Sequence, residues 1–398
     1  MTTTSARASA VSAGAGLVLF ASVVAVGLQL RPAVATVPPL LDVLRERNGF
    51  GLGGAILLTT LPVVCFGLAA ALAPPVDRRW GAERGILWCL LLLGGGLLFR
   101  AVVGGVPALL AGTVVAAGAV GVLHVLLPAL FKRRAPDAVA ALTTAMSVTI
   151  GVGAAVSASL AVPIWHELSL GLSLGLWGAV ALAVAVLWLP QARSRTVTAP
   201  TTAAGVSLYR DGLAWQVTLY FGLQSVAYYA LLSWLPTYFL ERDLGRTAAG
   251  AALAVLALAG VGGSLLAKPL GARLADQRPA AAVGGVAGLT GLAGMLLLPD
   301  VLALGSVALL GMGLGMALNT SLLLTTLRAG DPSTAARLSG MAQTVGYLMA
   351  ALGPFAFGVL RGVTGGWTVP MMLLGLVLVG DVLAGLAAGR ARTVGRAD

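Results

Sequence analysis

Charge is scarce in this chain. Of its 398 residues, 10% are Asp, Glu, Lys or Arg, and only 14 are acidic. Soluble domains carry about 25% charged residues, so a water-facing surface cannot be assembled from this composition. Cysteine is almost missing as well, and Cys65 and Cys89 cannot staple a secreted scaffold. His124 and His166 are the two histidines, and no His, Cys and carboxylate set has metal-ligand spacing, so no metal is expected. A phosphate-cradling loop ending in Lys is absent. Gly311-Met312-Gly313-Leu314-Gly315 lies inside an apolar run with no strand before it, which reads as helix packing and not as a nucleotide site. No Ser has a His and Asp partner on the same side of a membrane. These gaps argue against an enzyme and against ATP hydrolysis.

What is abundant is apolar. Hydrophobic residues make up 58% of the chain, and the mean hydropathy is +0.96. Such content excludes disorder. Gly, at 54 residues, has no collagen period and suits close helix packing in lipid. A membrane helix needs about 20 mostly apolar residues. Punctuation by Pro, Gly and charge predicts twelve: 14–43, 51–73, 85–104, 106–131, 138–163, 168–190, 214–240, 247–271, 280–299, 301–327, 336–361 and 367–389. The first is long and meets no small-residue cleavage site, so a removable signal is not expected.

The net charge of +11 is distributed as topology signals, in ones to threes between apolar runs, and not as a nucleic-acid face. With the N-terminus placed in the cytoplasm, 17 Lys and Arg fall on that side and 5 on the other. The positive-inside rule then puts both termini in the cytoplasm. The expectation is an all-α, multi-pass protein of the cell (inner) membrane, surrounded by lipid and monomeric. Its N-terminal six-helix bundle spans 1–190, a cytoplasmic linker 191–213, and a C-terminal six-helix bundle 214–398.

The halves echo each other. Pro74-Pro75-Val76-Asp77-Arg78-Arg79-Trp80-Gly81-Ala82-Glu83-Arg84 joins helices two and three, and Gly271-Ala272-Arg273-Leu274-Ala275-Asp276-Gln277-Arg278-Pro279 joins helices eight and nine. Internal repetition of this kind builds one class of transporters. Twelve helices as six plus six, with Asp/Arg turns at these two places, resemble the major facilitator superfamily. Ala272 stands where the family turn has Gly, and Asp77 comes one residue early relative to Trp80-Gly81. In the family these turns gate conformational change, which carries over to Asp77, Arg78, Asp276 and Arg278.

A narrower likeness runs along most of the chain. Leu30-Arg31-Pro32-Ala33, Leu58-Thr59-Thr60-Leu61-Pro62-Val63 and Leu126-Leu127-Pro128-Ala129-Leu130 resemble the cyanate and 2-nitroimidazole permease branch. So do Gly222-Leu223-Gln224-Ser225, Trp234-Leu235-Pro236-Thr237-Tyr238, Leu338 to Tyr347 and Thr364-Gly365-Gly366-Trp367-Thr368. The resemblance implies a secondary carrier that needs no cofactor.

Arg31 is the most informative residue. It lies mid-span in helix one, where a charge costs about 2.5–3.5 kcal/mol on insertion scales, and no nearby carboxylate neutralises it. A guanidinium binds oxyanions and planar carboxylates through paired hydrogen bonds. The structural alternative is an Arg bonded to backbone carbonyls beside Pro32 or Pro38. His124, one turn before Pro128 in helix four, stands where the family more often has Asn. It is a candidate substrate donor, and with Asp381 of helix twelve a candidate for coupling to a proton or other ion. Gln224 and Tyr228 share a face of helix seven, as Gln343 and Tyr347 do on helix eleven, while Tyr229 is expected to point aside. Asn319 of helix ten is a weaker candidate of the same kind. Arg100 and Lys268 are expected to snorkel from helix ends, and His166 and Glu167 to be solvated.

The function this supports is secondary active transport of a small anionic or electron-rich organic solute by alternating access. A neutral nitroaromatic or drug exporter is the alternative. A non-transporting receptor or scaffold would need a larger soluble part than a linker of about 20 residues.

Overall fold

Helix breakers set the shape of the first transmembrane segment. A computed structural model describes residues 18–135, 138–193, 208–271 and 276–395, and it contains helices and no strands among them. The segment Val18–Asn48 (α1) is interrupted at Leu30 and Arg31, immediately before Pro32. Proline has no N–H and disfavours helical geometry in the residue before it. Pro38 and Pro39 open a short 3-10 turn, and the final stretch Leu41–Asn48 is helical again. Arg45 and Arg47, expected in a loop, therefore occupy the last turn of α1.

The remaining long helices are α2 (Leu52–Ala70), α3 (Ala82–Val102), α4 (Gly105–Arg134), α5 (Val139–Glu167), α6 (Leu170–Ala192), α7 (Gly212–Leu240), α8 (Gly245–Gly271), α9 (Arg278–Leu297), α10 (Ala303–Leu327), α11 (Pro332–Ala350, continued after Ala351 by Leu352–Thr364) and α12 (Thr368–Ala388). Eleven helices among the described residues are long and apolar enough to cross a membrane, and α7 is not one of them. At 29 residues α7 is long enough, but Tyr220, Gln224, Tyr228, Tyr229 and Tyr238 lower its hydropathy. Most of its side chains are buried. It is the central helix of its half and packs on α11 and α12. The linker expected over 191–213 lies mostly outside the described residues. At its ends, Gln191 and Ala192 finish α6, and Asp211 caps α7 by accepting from the Ala214 N–H at 3.0 Å.

Equivalent helices pair in equivalent ways. In the first half α3 packs on α4 and α6 and α2 on α4; in the second, α9 packs on α10 and α12 and α8 on α10. Between halves, α5 lies on α8 and α2 on α11. Glycine permits some of these approaches: a Cβ at Gly263 of α8 would lie 2.0 Å from the Met312 carbonyl oxygen of α10.

The two Asp/Arg turns differ. Asp77 sits in a short helix, Ala73–Trp80, and its carboxylate takes both guanidinium arms of Arg133 at the end of α4, at 2.8 and 3.1 Å. Its early register does not cost it a partner on the neighbouring helix. Arg78 is exposed. Asp276 pairs instead within its own turn, with Arg278 at 2.5 Å, and hydrogen bonds from Arg278 hold its carboxyl down at about 2. Arg100 does not snorkel. It is 3% exposed, because its Nη1 donates to the Ala33 carbonyl at 3.0 Å where the α1 break frees backbone groups. The Lys268 side chain lies outside the described residues. His166 and Glu167 are exposed and paired with each other at 3.0 Å.

Candidate functional site

The α1 break carries Arg31 into the middle of the molecule. Its side chain is 6% exposed, and its guanidinium lies 5.1 Å from the Tyr228 ring centre and 4.9 Å from that of Tyr229. Nη1 donates to the Tyr229 hydroxyl, and Nε has no partner among the described residues. Tyr229 was expected to point aside, and it is the hydrogen-bonding partner. The guanidinium enters between two consecutive rings of α7, so side chains about 100° apart around the helix both reach it. Cation–π contact with the two rings, Tyr229 buried and Tyr228 half-buried, partly replaces the lost hydration.

Aromatic rings from four helices close around this group. His124 of α4 stacks on Tyr347 of α11, with centres 5.5 Å apart and planes at 25°. Phe66 of α2 meets His124, Tyr229 and Tyr347 at 5.8, 6.1 and 6.0 Å. Phe221 of α7 meets Tyr347 edge-on at 5.4 Å. Such offset and edge-on pairs are favourable geometries, and they join both halves through one cluster. Phe66 and Phe221 were not singled out from sequence; in an apolar helix an aromatic residue carries no mark of facing a cavity.

Two cavities touch Arg31. One of about 160 Å³ is lined by Arg31, His124, Ser147, Gln343 and Tyr347, with Thr143, Thr325 and Ser339 toward the ends of α5, α10 and α11. It opens on the face of the α4–α5 and α10–α11 connections. The other, about 60 Å³, is bounded by Arg31, Gln224, Tyr228, Tyr229 and Tyr347 with the α8 and α10 backbones. Among the described residues neither is lined by an acidic side chain. His124 Nδ1 is buried without a partner among the described residues. Gln343 donates to Ser339 Oγ at 3.0 Å, and Gln224 accepts from Ser225 Oγ at 3.1 Å. Ser147, which lines both cavities and donates to the Thr143 carbonyl at 2.9 Å, was missed; the signal was the Thr143 and Ser147 spacing on one face of α5.

Six of the seven expected substrate residues thus come together. Asn319 does not join them: its amide donates to the Ser264 carbonyl of α8, and it lines neither cavity. Asp381 is also apart. It is 3% exposed on α12, and its Oδ1 has no partner among the described residues.

Comparison with known proteins agrees with this architecture. The solved proton:xylose symporter XylE superposes with a TM-score of 0.74 at 15% identity, over 93% of this chain and 94% of that one. The 2-nitroimidazole transporter of Escherichia coli (strain K12) is 35% identical over 388 residues, 95% of this chain and 97% of that protein. The cyanate transport protein CynX of the same strain is 30% identical over 362 residues, 90% of this chain and 93% of that protein. The family model of the Major Facilitator Superfamily matches residues 10–354. A multi-pass helical protein of the inner membrane, non-enzymatic and built around a buried polar centre, this chain belongs to the Major Facilitator Superfamily of transporters.

Proposed function

We propose that the chain is a secondary active transporter for a small, flat, anionic or electron-rich organic solute, held between the halves at Arg31. The observation that carries this reading is a buried guanidinium in a cavity with no acidic residue in its lining among the described residues. A desolvated cation is costly without a partner, and an oxyanion supplies an acceptor for Nε, which has none among the described residues. The ring-lined walls suit a planar molecule. A cavity of about 150 Å³ holds one benzene ring, so about 160 Å³ fits a single-ring solute. The transported species named for the two bacterial relatives, 2-nitroimidazole and cyanate, fall within this size.

The aromatic collar also favours a second reading, export of a neutral nitroaromatic. There Tyr228, Tyr229, Tyr347 and Phe66 would hold the ring, and Arg31 would contact a nitro oxygen. Both readings use the same cavity and differ in how strongly binding depends on the charge of Arg31.

The basic-residue split places both termini in the cytoplasm, so the larger cavity opens inward in this conformation. Opening the outer side requires the α2–α11 and α5–α8 contacts to separate while the inner ends close. The Asp77–Arg133 and Asp276–Arg278 pairs sit at those inner ends and bias that exchange. For coupling, His124 is better placed than Asp381, since it lines the cavity with Arg31 and keeps Nδ1 unpartnered. The test uses proteoliposomes. Uptake or exchange of 2-nitroimidazole, cyanate or 4-hydroxybenzoate should follow an imposed proton or potential gradient and ignore ATP. ATP-dependent flux at zero gradient would reject the reading.

A further inference from the structure

We propose that a second cavity, on the face opposite the opening of the central one, binds a single small oxyanion group: a carboxylate, sulfate or phosphate. This cavity of about 110 Å³ lies where the last turn of α1, the end of α3 and the starts of α4 and α6 converge. It is smaller than the cavity of about 150 Å³ that holds a benzene ring, which favours a compact group over the ring-bearing solute of the central site. Arg47 and Arg100 line it, and among the described residues no acidic one does.

Three features of its wall ask for an anion. Arg100 is 3% exposed; its Nη1 is spent on the Ala33 carbonyl at 3.0 Å and on Thr113 Oγ1 at 3.5 Å, while its Nε is buried with no partner among the described residues. A buried donor left unmade is uncommon and needs a cause. Second, the 30-residue α4 begins at this wall without a side-chain cap. Gly104 and Gly105, at φ +70° and +77°, turn the chain so that the helix opens on the cavity. Third, α6 starts at the same wall. Ser169 Oγ accepts only the Leu172 N–H at 3.1 Å, so the donors of the first two residues, Leu170 and Gly171, have no intrahelical acceptor. Two guanidinium groups around one small space give it a positive potential, and the starts of α4 and α6 add free N–H donors, while the C-terminal ends of α1 and α3 at the same wall offset the dipoles of those two N-termini.

Arg100 also props the Ala33 carbonyl, two residues from Arg31, so an anion held here is linked through Arg100 to the segment that positions the central guanidinium. A purely structural Arg100 would give no specific anion response. The experiment uses the full chain in neutral detergent, carrying Arg31→Gln so that the central site does not contribute. Melting temperature is followed against sulfate and against phosphate, with chloride at matched ionic strength, and each titration is repeated with Arg47→Gln added. Arg47 is exposed on the last turn of α1, so its replacement leaves the fold in place.

Sulfate and phosphate stabilise proteins non-specifically by exclusion; the quantity read is therefore the saturable part that Arg47→Gln removes. The expected result is saturable stabilisation that weakens about tenfold or more in apparent affinity with Arg47→Gln. An equal response with and without Arg47 overturns the proposal, as does no saturable response. A third arm dopes the micelles with phosphatidylglycerol. Arg47-dependent stabilisation by that lipid, with none by sulfate or phosphate, also overturns the small-anion site and assigns the cavity to a lipid headgroup. Because the titrations run on Arg31→Gln protein, their failure leaves the central-site reading untouched.

Discussion

Replacing Arg31 by Gln isolates the charge at the centre of the molecule. The ligand-free protein is expected to tolerate it. Among the described residues no carboxylate lines the cavities, so no acidic partner there is stranded when the cation goes. The group left behind is the Tyr229 hydroxyl, which loses its donor; an unsatisfied buried polar group costs about 1–3 kcal/mol. Against this, removing a desolvated cation relieves a penalty of several kcal/mol per buried ion. The two terms oppose, and the melting temperature without ligand should hold or rise. Binding behaves differently. A hydrogen bond to a charged group contributes about 1.5–3 kcal/mol, or roughly ten- to 150-fold in affinity at about 1.4 kcal/mol per decade. Arg31→Lys keeps the charge and loses the planar fork, so it should fall between parent and Arg31→Gln. The assay is a thermal-shift titration of purified protein with cyanate, 4-hydroxybenzoate and 2-nitroimidazole, since a ligand of the folded state raises its stability by mass action. Parent-like affinity of a folded Arg31→Gln protein for whichever solute binds would refute the anchor role and transfer the lead to the neutral-ring reading.

Tyr229→Phe removes the hydroxyl that accepts from Arg31 and should weaken solute binding about two- to tenfold, whereas Tyr228→Phe keeps the ring under the guanidinium and should change affinity little; equal effects in the same titration would contradict the assigned geometry. Gly263→Ala drives a methyl group against the Met312 carbonyl and should destabilise by about 1–3 kcal/mol through overpacking of α8 on α10, read as a lowered melting temperature; an unchanged value would mean the helices are not this close. Reporters fused after Asp243 and after Pro279 should fall on opposite sides of the membrane, the second in the cytoplasm, and agreement between them would break the helix count.

The membrane class was legible because composition acts everywhere at once. Apolar runs of about 20 residues and the placement of basic residues specify spans without reference to neighbours, and the long helices follow the twelve expected segments closely. The errors fall at helix ends and breaks. Arg45 and Arg47 joined α1 because the chain resumes a helix after Pro38 and Pro39, and α11 breaks at Ala351 before continuing to Thr364. Arg31 was identifiable alone, since a charge at mid-span has to be explained in any fold. Tyr229 and Phe66 were not, because an aromatic residue in an apolar helix reads the same whether it faces lipid, a neighbour or a cavity.

By itself the sequence determined that the chain crosses the membrane, how many times, and that one buried cation lies near the middle of the first crossing. Those properties depend on local transfer free energies and on residues a few positions apart. Tertiary structure alone decided which side chains meet that cation. It brought together α1, α2, α4, α7 and α11 from opposite halves, turned Asn319 onto α8, and drew Arg100 inward to the Ala33 carbonyl. Each of these outcomes is fixed by the rotation of one helix against another, set by packing between segments far apart in the chain, and that rotation has no local signature in an apolar helix.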